Sequence, residues 1–363
     1  MKSDILSISN MKKEYKKLKN LIEKSKNILI LTHKGPDFDG FASGLILKNF
    51  LNVYYPKKTV VFKTRQYPTQ KIPFMHELQI TQRIDAGNED LIIMVDTNNW
   101  RMCITKDDTI QVSKAKIAIV DHHSSKGLEA EVVVNENMSS ATEQILDFCM
   151  NVKGKKYIIS EEISTLGQIG VVFDTGGFLY HNTKPETYEL MAKLRRIYEL
   201  DLEDFEYKSG KFPLETLLPL KIYIQNIHIV NDMAFTYLTL SEVQNYKLTK
   251  TGVNAAQGFV RDNILRYIQG IHWGFVVKPS FTSDSEWRIS FRSTKGYQEV
   301  ASIAEALGGG GHQYSAATRI TATDGDQAAK MVLDAVEKVL KGETKQEVPL
   351  QPSSPSQAPQ PST

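Results

Sequence analysis

The sequence predicts an α/β fold, in which a parallel sheet carries helices on both faces and a smaller mixed α/β domain follows. Three observations support this. Short apolar segments of strand length alternate with helical stretches over residues 1–200. The polar segment 201–213, with Gly210 and Pro213, interrupts that pattern. Beyond it, apolar and polar residues alternate as they do in half-buried strands.

The first domain, residues 1–200, is predicted to begin with an amphipathic helix, because apolar residues recur at helical spacing between Met11 and Ser25. The strands expected after it are Asn27–Leu31, Thr59–Phe62, Leu91–Val95 and Ile117–Val120, and the helices are Gly40–Leu51, Ala141–Met150 and Glu161–Phe173. Continuous apolar strands that alternate with helices are typical of a parallel sheet buried on both faces.

Residues 214–342 are predicted to form the second domain, with 201–213 as the linker. Its expected strands are Ala234–Leu240, Trp273–Val277 and Trp287–Phe291, and its expected helices are Ala255–Tyr267, Val300–Leu307 and Gln327–Leu340. The tail, residues 343–363, is rich in Pro, Ser and Gln. Such a segment buries too little apolar area to offset chain entropy, so we expect it to be disordered.

Composition excludes several classes of protein. The 363 residues include 44 basic and 42 acidic side chains, a net charge of +2, which argues against a dedicated binder of duplex DNA. Two cysteines, Cys103 and Cys149, cannot form a disulfide framework and fit a reducing cytosol. No apolar run approaches the roughly 18 residues of a membrane helix. We therefore expect a cytoplasmic protein without a membrane partner.

Four segments place metal-binding side chains at or just beyond an apolar strand or helix. They are Thr32–Asp39 after the first strand, Asp96 after the third, Asp121-His122-His123 after the fourth, and Asp174 after a helix. In open α/β sheets, ligands bind beyond the carboxyl ends of the parallel strands. Three of the four segments are therefore predicted to meet at one crevice.

This set of side chains indicates hydrolysis of phosphate esters. Carboxylates and imidazoles without thiolates suit Mn²⁺, and also Mg²⁺ or Co²⁺, rather than structural zinc. The set is large enough to hold two ions. Two ions about 3.5–4 Å apart can activate water and stabilise both the attacking and the leaving oxygen of a phosphate displacement. A scaffold with purely structural acids is disfavoured, because clustered carboxylates without cations are costly.

These motifs resemble those of a known family. His33–Ser43, Asp96, Asp121–His123 and Asp174–Phe178 resemble, in order, the four motifs of the DHH phosphoesterase superfamily. Phe291–Ser293, Glu299–Ala304, Gly308–His312 and Ala316-Ala317 resemble its associated C-terminal domain. The resemblance spans about residues 27–322. The departures are Gly35, where relatives commonly have Asn, Phe38, where they commonly have Gly, Gly40-Phe41-Ala42 in place of the more usual Ala-Ile-Gly, and Thr318, where relatives usually have Gly.

The resemblance implies a role for each residue of the first domain. One ion would be held by His33, Asp37 and Asp96, and the other by Asp39, Asp96, His122 and Asp174. Asp96 would bridge the two ions, and a metal-bridging hydroxide would be the nucleophile. His123 would lie near the scissile phosphate as a donor, and Asp121 would orient neighbouring imidazoles by hydrogen bonding.

In the second domain, the resemblance implies a clamp on the part of the substrate that does not react. The candidate substrate-binding residues are Arg292, Ser293, Gly309, Gly310, Gly311 and His312. Consecutive glycines let backbone N–H groups approach an anion closely, and a guanidinium can bind a phosphate with two hydrogen bonds. For Arg292, an ordinary ion pair is an equally good interpretation.

Three functions remain open on the sequence. The first choice is hydrolysis of very short oligoribonucleotides and of 3′-phosphoadenosine 5′-phosphate, as in the nanoRNase-type relatives. The alternative is a cyclic or linear dinucleotide phosphodiesterase. A nucleotide-binding sensor without turnover is the non-enzymatic hypothesis. The family's inorganic pyrophosphatases have a different C-terminal domain, so the resemblance of the glycine-rich motif argues against that activity. Both a monomer and a homodimer are compatible with the chain.

Overall fold

The computed structural model describes residues 12–110, 115–123, 129–152 and 157–341. Contacts within the chain divide it into two compact units, and the division falls after Gly210, inside the predicted linker. The predicted disordered tail, residues 343–363, lies outside the described residues. Among the described helices, none has the length and apolar character needed to cross a bilayer.

The first unit is built on a parallel sheet, as predicted. Its strands are β1 (Asn27–Leu31), β2 (Thr59–Thr64), β3 (Leu78–Ile80), β4 (Asp85–Ala86), β5 (Leu91–Val95), β6 (Thr109–Ile110), β7 (Lys116–Val120) and β8 (Val132–Val134). Six of them form a sheet in the order β3-β2-β1-β5-β7-β8, and β4 pairs with β6 separately. All neighbouring pairs in the six-stranded sheet are parallel. Strands β1, β5 and β7 therefore lie side by side at its centre.

Helices cover this sheet. They are α1 (Lys13–Lys24), α2 (Phe38–Tyr54), α3 (Trp100–Cys103), α4 (Ala141–Asn151), α5 (Glu161–Asp174), α6 (Pro185–Ile197) and α7 (Leu202–Ser209). Helices α2, α4 and α5 pack closely because glycine lines their contact: a Cβ atom at Gly170 would lie 2.3 Å from Thr142 Oγ1 and 3.0 Å from Ala42 Cβ. The other face of the sheet is covered by the short α3 and the β4–β6 pair, over a core that includes Leu29, Ile92 and Cys103.

The segment predicted as a linker is largely helical. Asp201 caps α7 by accepting a hydrogen bond from the Asp204 N–H group, and the helix ends at Ser209. Phe205 of α7 packs against Phe38, with ring centroids 5.0 Å apart. Phe38 is the residue that stands where relatives commonly have glycine, so this departure provides the contact that holds α7 against the start of α2.

The second unit is a mixed α/β domain. Its strands are β9 (His228–Val230), β10 (Met233–Tyr237), β11 (Trp273–Pro279), β12 (Glu286–Ser293), β13 (Gly310–His312) and β14 (Ser315–Thr321), and its helices are α8 (Leu217–Gln225), α9 (Leu240–Asn245), α10 (Lys250–Asn263), α11 (Val300–Ala306) and α12 (Gly325–Leu340). The sheet order is β13-β14-β12-β11-β10-β9. Only β10 and β11 pair in parallel. Helices α11 and α12 cover one face, and α8 and α10 cover part of the other.

Two predicted boundaries in this unit are wrong for local reasons. The strand expected to continue to Leu240 ends at Tyr237, because Thr239 and Glu242 form a capping box that starts α9. The helix expected from Ala255 to Tyr267 begins at Lys250, where Thr249 caps it. It ends at Asn263 and is followed by a short 3-10 turn, Leu265–Tyr267.

Candidate metal centre

The carboxyl ends of β1, β5 and β7 bring the predicted metal-binding side chains together. His33 Nε2 lies 3.3 Å from Asp96 Oδ2, and His122 Nε2 lies 3.7 Å from Asp96 Oδ1. Asp96 therefore stands between two imidazoles, each from a neighbouring strand end. This is the convergence that the positions of these residues in the sequence predict.

Asp96 adopts an uncommon backbone conformation. Its φ is +56°, in the left-handed region, and its N–H group donates to the Val120 carbonyl at 3.0 Å. Aspartate tolerates this region better than most residues, but the conformation still costs about 1–3 kcal/mol. The turn aims a buried carboxylate, 4% exposed, at the space between His33 and His122. Backbone strain of this size is typical of a functional site. It occurs here at Asp96, the carboxylate that is expected to contact both ions.

Asp37 serves two purposes at the start of α2. Its Oδ1 accepts hydrogen bonds from the N–H groups of Asp39 at 3.0 Å and Gly40 at 3.1 Å, which makes it the helix cap. Its Oδ2 lies 4.0 Å from His33 Nε2. Burial raises the pKa of Asp37, but His33 and the two N–H groups outweigh burial and lower it overall. This carboxylate is therefore kept ionised.

Asp39 is fully buried against the N-terminus of α4. Its Oδ2 accepts from the Ala141 N–H group and its Oδ1 from the Thr142 N–H group, both at 2.8 Å. The positive end of a helix favours a carboxylate. Burial, together with the neighbouring Asp174, nevertheless raises the pKa of Asp39 to about 7. The positive end of α4 therefore does not offset burial and the repulsion between Asp39 and the neighbouring carboxylates.

His122 and Asp174 face each other at short range. His122 Nε2 lies 2.8 Å from Asp174 Oδ2, yet the contact lacks hydrogen-bond angles, and both buried atoms are without a hydrogen-bond partner among the described residues. Burial lowers the pKa of His122, but Asp174, Asp39 and Asp96 outweigh it and raise the pKa to about 9. A cation that both atoms could coordinate would account for this arrangement.

His123 is oriented by Asp121. The Nδ1 atom of His123 lies 2.7 Å from Asp121 Oδ1, and the His123 backbone N–H donates to the same oxygen at 3.3 Å. Asp121 is buried, while the His123 side chain is 43% exposed. The carboxylate thus fixes one side of the ring within the protein, as the predicted orienting role requires.

Gly40 leaves the space that the site occupies. A Cβ atom at this position would lie 2.5 Å from Thr32 Oγ1, 3.3 Å from Asp96 Oδ2 and 3.5 Å from His33 Nε2. A Cβ here would require the Thr32 side chain to shift, and a larger side chain would extend toward Asp96 and His33. Gly35, two residues before Asp37, has no atom within 4 Å of such a Cβ.

The residues fit divalent cations. Ligand atoms within 4.8 Å of one another form three groups, His33–Asp37–Asp96, Asp39–His122–Asp174 and Asp96–Asp121–His122–His123. Burial and the carboxylates of Asp39, Asp37 and Asp174 raise the pKa of Asp96, and the buried His122 Nε2 and Asp174 Oδ2 have no hydrogen-bond partner among the described residues. Buried carboxylates that repel one another are stabilised by metal ions. Oxygen and nitrogen donors without thiolates suit Mn²⁺ or Mg²⁺.

Sequence reasoning missed the groups that support the site. Besides the Ala141 and Thr142 N–H groups, Asn182 Nδ2 donates to the carbonyls of Ser139 at 2.8 Å and Asp174 at 3.1 Å. Asn182 thereby ties the start of α4 to the end of α5. The pattern Ser140-x-x-Glu143 marks the start of α4 in the sequence, but nothing in it reveals that this helix end meets Asp39.

The glycine run of the second unit is used partly for helix termination. The Gly309 N–H donates to the Ala304 carbonyl at 2.7 Å, and the Gly308 N–H donates to the Glu305 carbonyl at 2.9 Å. With Gly308 at φ +76°, these bonds form a Schellman motif that ends α11. The Gly309 N–H group is therefore used within the chain, and substrate binding by Gly309 stays a prediction. Gly310 and Gly311 lie in β13, paired with β14.

The other predicted substrate-binding residues are placed as follows. Arg292 Nε lies 3.2 Å from Asp262 Oδ1, so the ion-pair interpretation describes this side chain. Ser293 is buried, and its hydroxyl donates to the Thr294 carbonyl at 3.3 Å. His312 is the last residue of β13, and its side chain lies outside the described part of the structure.

Comparisons with known proteins agree with this geometry. Residues 27–171 match the model of the DHH family, N-terminal domain. The chain is 26% identical over 310 residues to the bifunctional oligoribonuclease and PAP phosphatase NrnA of Bacillus subtilis, covering 82% of this chain and 90% of that protein. It is 25% identical over 342 residues to the cyclic-di-AMP phosphodiesterase PdeA of Listeria monocytogenes, covering 90% of this chain and 50% of that protein.

Solved structures share the fold. An exopolyphosphatase-related protein from Bacteroides fragilis superposes with a TM-score of 0.75 at 21% identity, over 92% of this chain and 98% of that chain. RecJ from Thermus thermophilus, solved with Mn²⁺, superposes with a TM-score of 0.55 at 12% identity, over 91% of this chain and 55% of that chain. Given the family match, the ordered motifs and their convergence at the strand ends, residues 27–171 are a DHH-family domain and the chain is a phosphoesterase.

Proposed function

We propose that this phosphoesterase hydrolyses very short oligoribonucleotides, 3′-phosphoadenosine 5′-phosphate, or both, with the help of two divalent cations. The observation that carries the proposal is the position of Asp96. Its two carboxylate oxygens face different imidazoles, Oδ2 facing His33 and Oδ1 facing His122. A carboxylate in that position is suited to serve two ion sites at once.

The residues that would hold the cations fall into two sets that share Asp96. His33 and Asp37 complete one set, and Asp39, His122 and Asp174 complete the other. Mn²⁺ is the ion we favour, with Mg²⁺ or Co²⁺ as alternatives. When bound, such ions lower the pKa of coordinated water and stabilise negative charge on phosphate oxygens. Asp39 has a further task, since the α4 N-terminus fixes both of its oxygens in place.

His123 is the residue we assign to the substrate phosphate. Because Asp121 binds the Nδ1 side of the ring, Nε2 is the nitrogen that would face a phosphate oxygen. A donor held in this way stabilises charge on the phosphate without having to reorient during the reaction. Asp121 is a positioning residue in this account, acting through His123.

The choice of substrate rests on relatives that match most of this chain. Besides the Bacillus protein, a probable bifunctional oligoribonuclease and PAP phosphatase from Streptococcus mutans is 26% identical over 292 residues, covering 86% of that protein. Both matches extend well beyond the metal-binding domain. Residues 214–342 would then be the DHH-associated substrate-binding domain, with Arg292, Ser293, Gly309, Gly310, Gly311 and His312 as its candidate contacts.

A dinucleotide phosphodiesterase is the second candidate. It is favoured by the match to the Listeria cyclic-di-AMP phosphodiesterase, which extends over 90% of this chain. That match covers only half of the Listeria protein, whereas the oligoribonuclease match covers 90% of its relative. For this reason we propose the oligoribonucleotide and phosphoadenosine substrates first.

A product assay with Mn²⁺ decides between the two. RNAs of two to five nucleotides, 3′-phosphoadenosine 5′-phosphate and cyclic dinucleotides would be supplied side by side to the full chain. We expect fast release of mononucleotides from the shortest RNAs, or of phosphate from the phosphoadenosine substrate. A clear preference for a cyclic dinucleotide would favour the second candidate, and no turnover of any of them would contradict the proposed function.

A further inference from the structure

The second unit carries a row of three cationic side chains that the proposed function does not use. Lys278 of β11 is the register partner of Arg288 of β12, and Arg288 is in turn the register partner of Arg319 of β14. Side chains of directly paired residues project from the same face of a sheet and lie next to each other. We call Lys278, Arg288 and Arg319 the basic row.

The basic row lies on a partly open face of the sheet. Along β12, Trp287, Ile289 and Phe291 pack into the core beneath α11 and α12, so Arg288 projects from the opposite face. Helices α8 and α10 cover that face over β10 and β11. Buried and exposed residues alternate along β14, and the exposed ones are Ala317, Arg319 and Thr321. An extended ligand can therefore approach the row from the β14 side.

Without a bound anion, the basic row lowers the stability of the folded sheet. Like charges on directly opposed residues destabilise a sheet. Burial, followed by Arg288, Arg261 and Lys250, lowers the pKa of Lys278 to about 8. The nearby acid is Glu286, whose Oε1 lies 3.9 Å from Arg288 Nε, and neither atom has a hydrogen-bond partner among the described residues. Glu286 also lies near Arg319, whereas Lys278 Nζ donates to the neutral Asn254 Oδ1 at 2.7 Å. One carboxylate thus accompanies three cations, and the row keeps a net positive charge for an anion.

A second group of cations lies further along the same face. Arg292, four residues after Arg288 and therefore about 13 Å away along the strand, shares Asp262 with Arg261. Arg266 also stands close enough to lower the pKa of Asp262, although burial opposes this. Between the two groups, the small side chains of Ser290 and Ala317 are register partners and form the floor of the face.

We propose that the basic row binds a backbone phosphate of a single-stranded RNA, independently of base sequence, while the Arg292 group binds another phosphate of the same strand. The spacing of the two groups favours a ligand with several phosphates over a mononucleotide. This inference rests on the proposed function for the identity of the polyanion, and it adds a phosphate site that the sequence motifs do not include.

The test is the salt dependence of RNA binding by the full chain. Fluorescence anisotropy of a labelled six-nucleotide RNA would be measured in chelator, where binding does not depend on turnover, over a range of salt concentrations. The variant is the double substitution Arg288→Gln with Arg319→Gln. The matched control, Lys330→Gln with Lys338→Gln, removes two charges from exposed positions of α12, which packs on the opposite face.

We expect the row variant to bind RNA more weakly and to show a shallower salt dependence. For single strands, the slope of log K against log salt concentration is about 0.7 for each phosphate contact, so the slope should fall by about 0.7. The control should keep the slope of the unaltered protein. The melting temperature of the row variant should be unchanged or higher, because like charges have been removed.

An unchanged affinity and slope in the row variant would overturn the proposal. An equal loss in the α12 control would also overturn it, because the effect would then come from overall charge. So would row-dependent binding of a poly-glutamate peptide without binding of RNA. If RNA binding depends on the row but the unaltered protein hydrolyses none of the assayed substrates, the phosphate site stands and the proposed function fails.

Discussion

The metal centre depends on single residues whose size and orientation leave little tolerance. Gly40 shows this most directly, because a side chain at this position would occupy the space beside Asp96 and His33. Each of the two imidazoles lies within 4 Å of the Asp96 carboxylate, so a side chain larger than a methyl group at position 40 would displace a ligand rather than a solvent-exposed atom. A displacement of about 1 Å in a catalytic site can cost about 100-fold in rate.

We therefore expect Gly40→Val, whose branched side chain extends past the Cβ toward Asp96 and His33, to lower kcat/KM by about 100-fold and to weaken metal binding, with the secondary structure intact. Gly35→Val is the matched control, since it lies in the same loop and a Cβ there meets no atom within 4 Å. The two variants would be compared by steady-state kinetics with Mn²⁺ and by circular dichroism. Equal activity in both would contradict the packing described around Gly40.

Asp121 is expected to act on the reaction without holding metal. Asp121→Asn keeps the size of the side chain but removes the charge that orients His123 through Nδ1. Loss of such an orienting partner typically costs 10–100-fold in activity, so kcat should fall by about that factor. Metal stoichiometry, measured by mass spectrometry of the dialysed protein, should stay the same. Loss of an ion would make Asp121 a ligand instead.

At the scale of elements, α4 links fold stability to the site. Its first N–H groups hold the two oxygens of Asp39, and Ser140 caps the helix by accepting from the Glu143 N–H group at 3.0 Å. Fraying of this helix end would release Asp39 as well as weaken the core. The same turn is tied to Asp174 through Asn182.

Ser140→Ala should destabilise the chain by about 1 kcal/mol, the usual effect of losing an N-cap, and should also weaken metal binding. Thr249→Ala is the control, because it removes the N-cap of α10 in the second unit, where Thr249 accepts from the Gly252 N–H group at 3.0 Å. Urea unfolding and metal titration of both variants separate the two effects. If Thr249→Ala lost as much metal affinity as Ser140→Ala, the role assigned to α4 would be contradicted.

The elements also show what the sequence could and could not predict. Strands β1 and β5 have the predicted bounds because each is a continuous apolar run with a polar residue after it. Their adjacency in a parallel sheet then brings His33 next to Asp96. By contrast, α7 packs through Phe205 against Phe38, a residue far away in the sequence. The local pattern of residues 201–213 does not reveal that contact. The resemblance that makes Gly309 a candidate contact also does not show that its N–H group ends α11 by donating to the Ala304 carbonyl.

At the scale of the whole molecule, the metal ligands belong to the first unit and the basic row to the second. A ligand that binds only the folded state stabilises it by about 2.7 kcal/mol at a concentration 100 times its Kd. We expect Mn²⁺ to slow amide hydrogen exchange in segments that contain the strand ends of β1, β5 and β7. Exchange in β11, β12 and β14 should change much less. Equal protection in both units would contradict a metal centre confined to the first.

The most direct test of the central claim is the number of Mn²⁺ ions bound per chain, measured by isothermal titration for the unaltered protein and for Asp96→Asn. If Asp96 serves two ion sites, the unaltered protein should bind two ions, and the variant should bind fewer and lose measurable turnover of short RNA and of 3′-phosphoadenosine 5′-phosphate. Two ions bound by Asp96→Asn with activity retained would contradict the shared-carboxylate account.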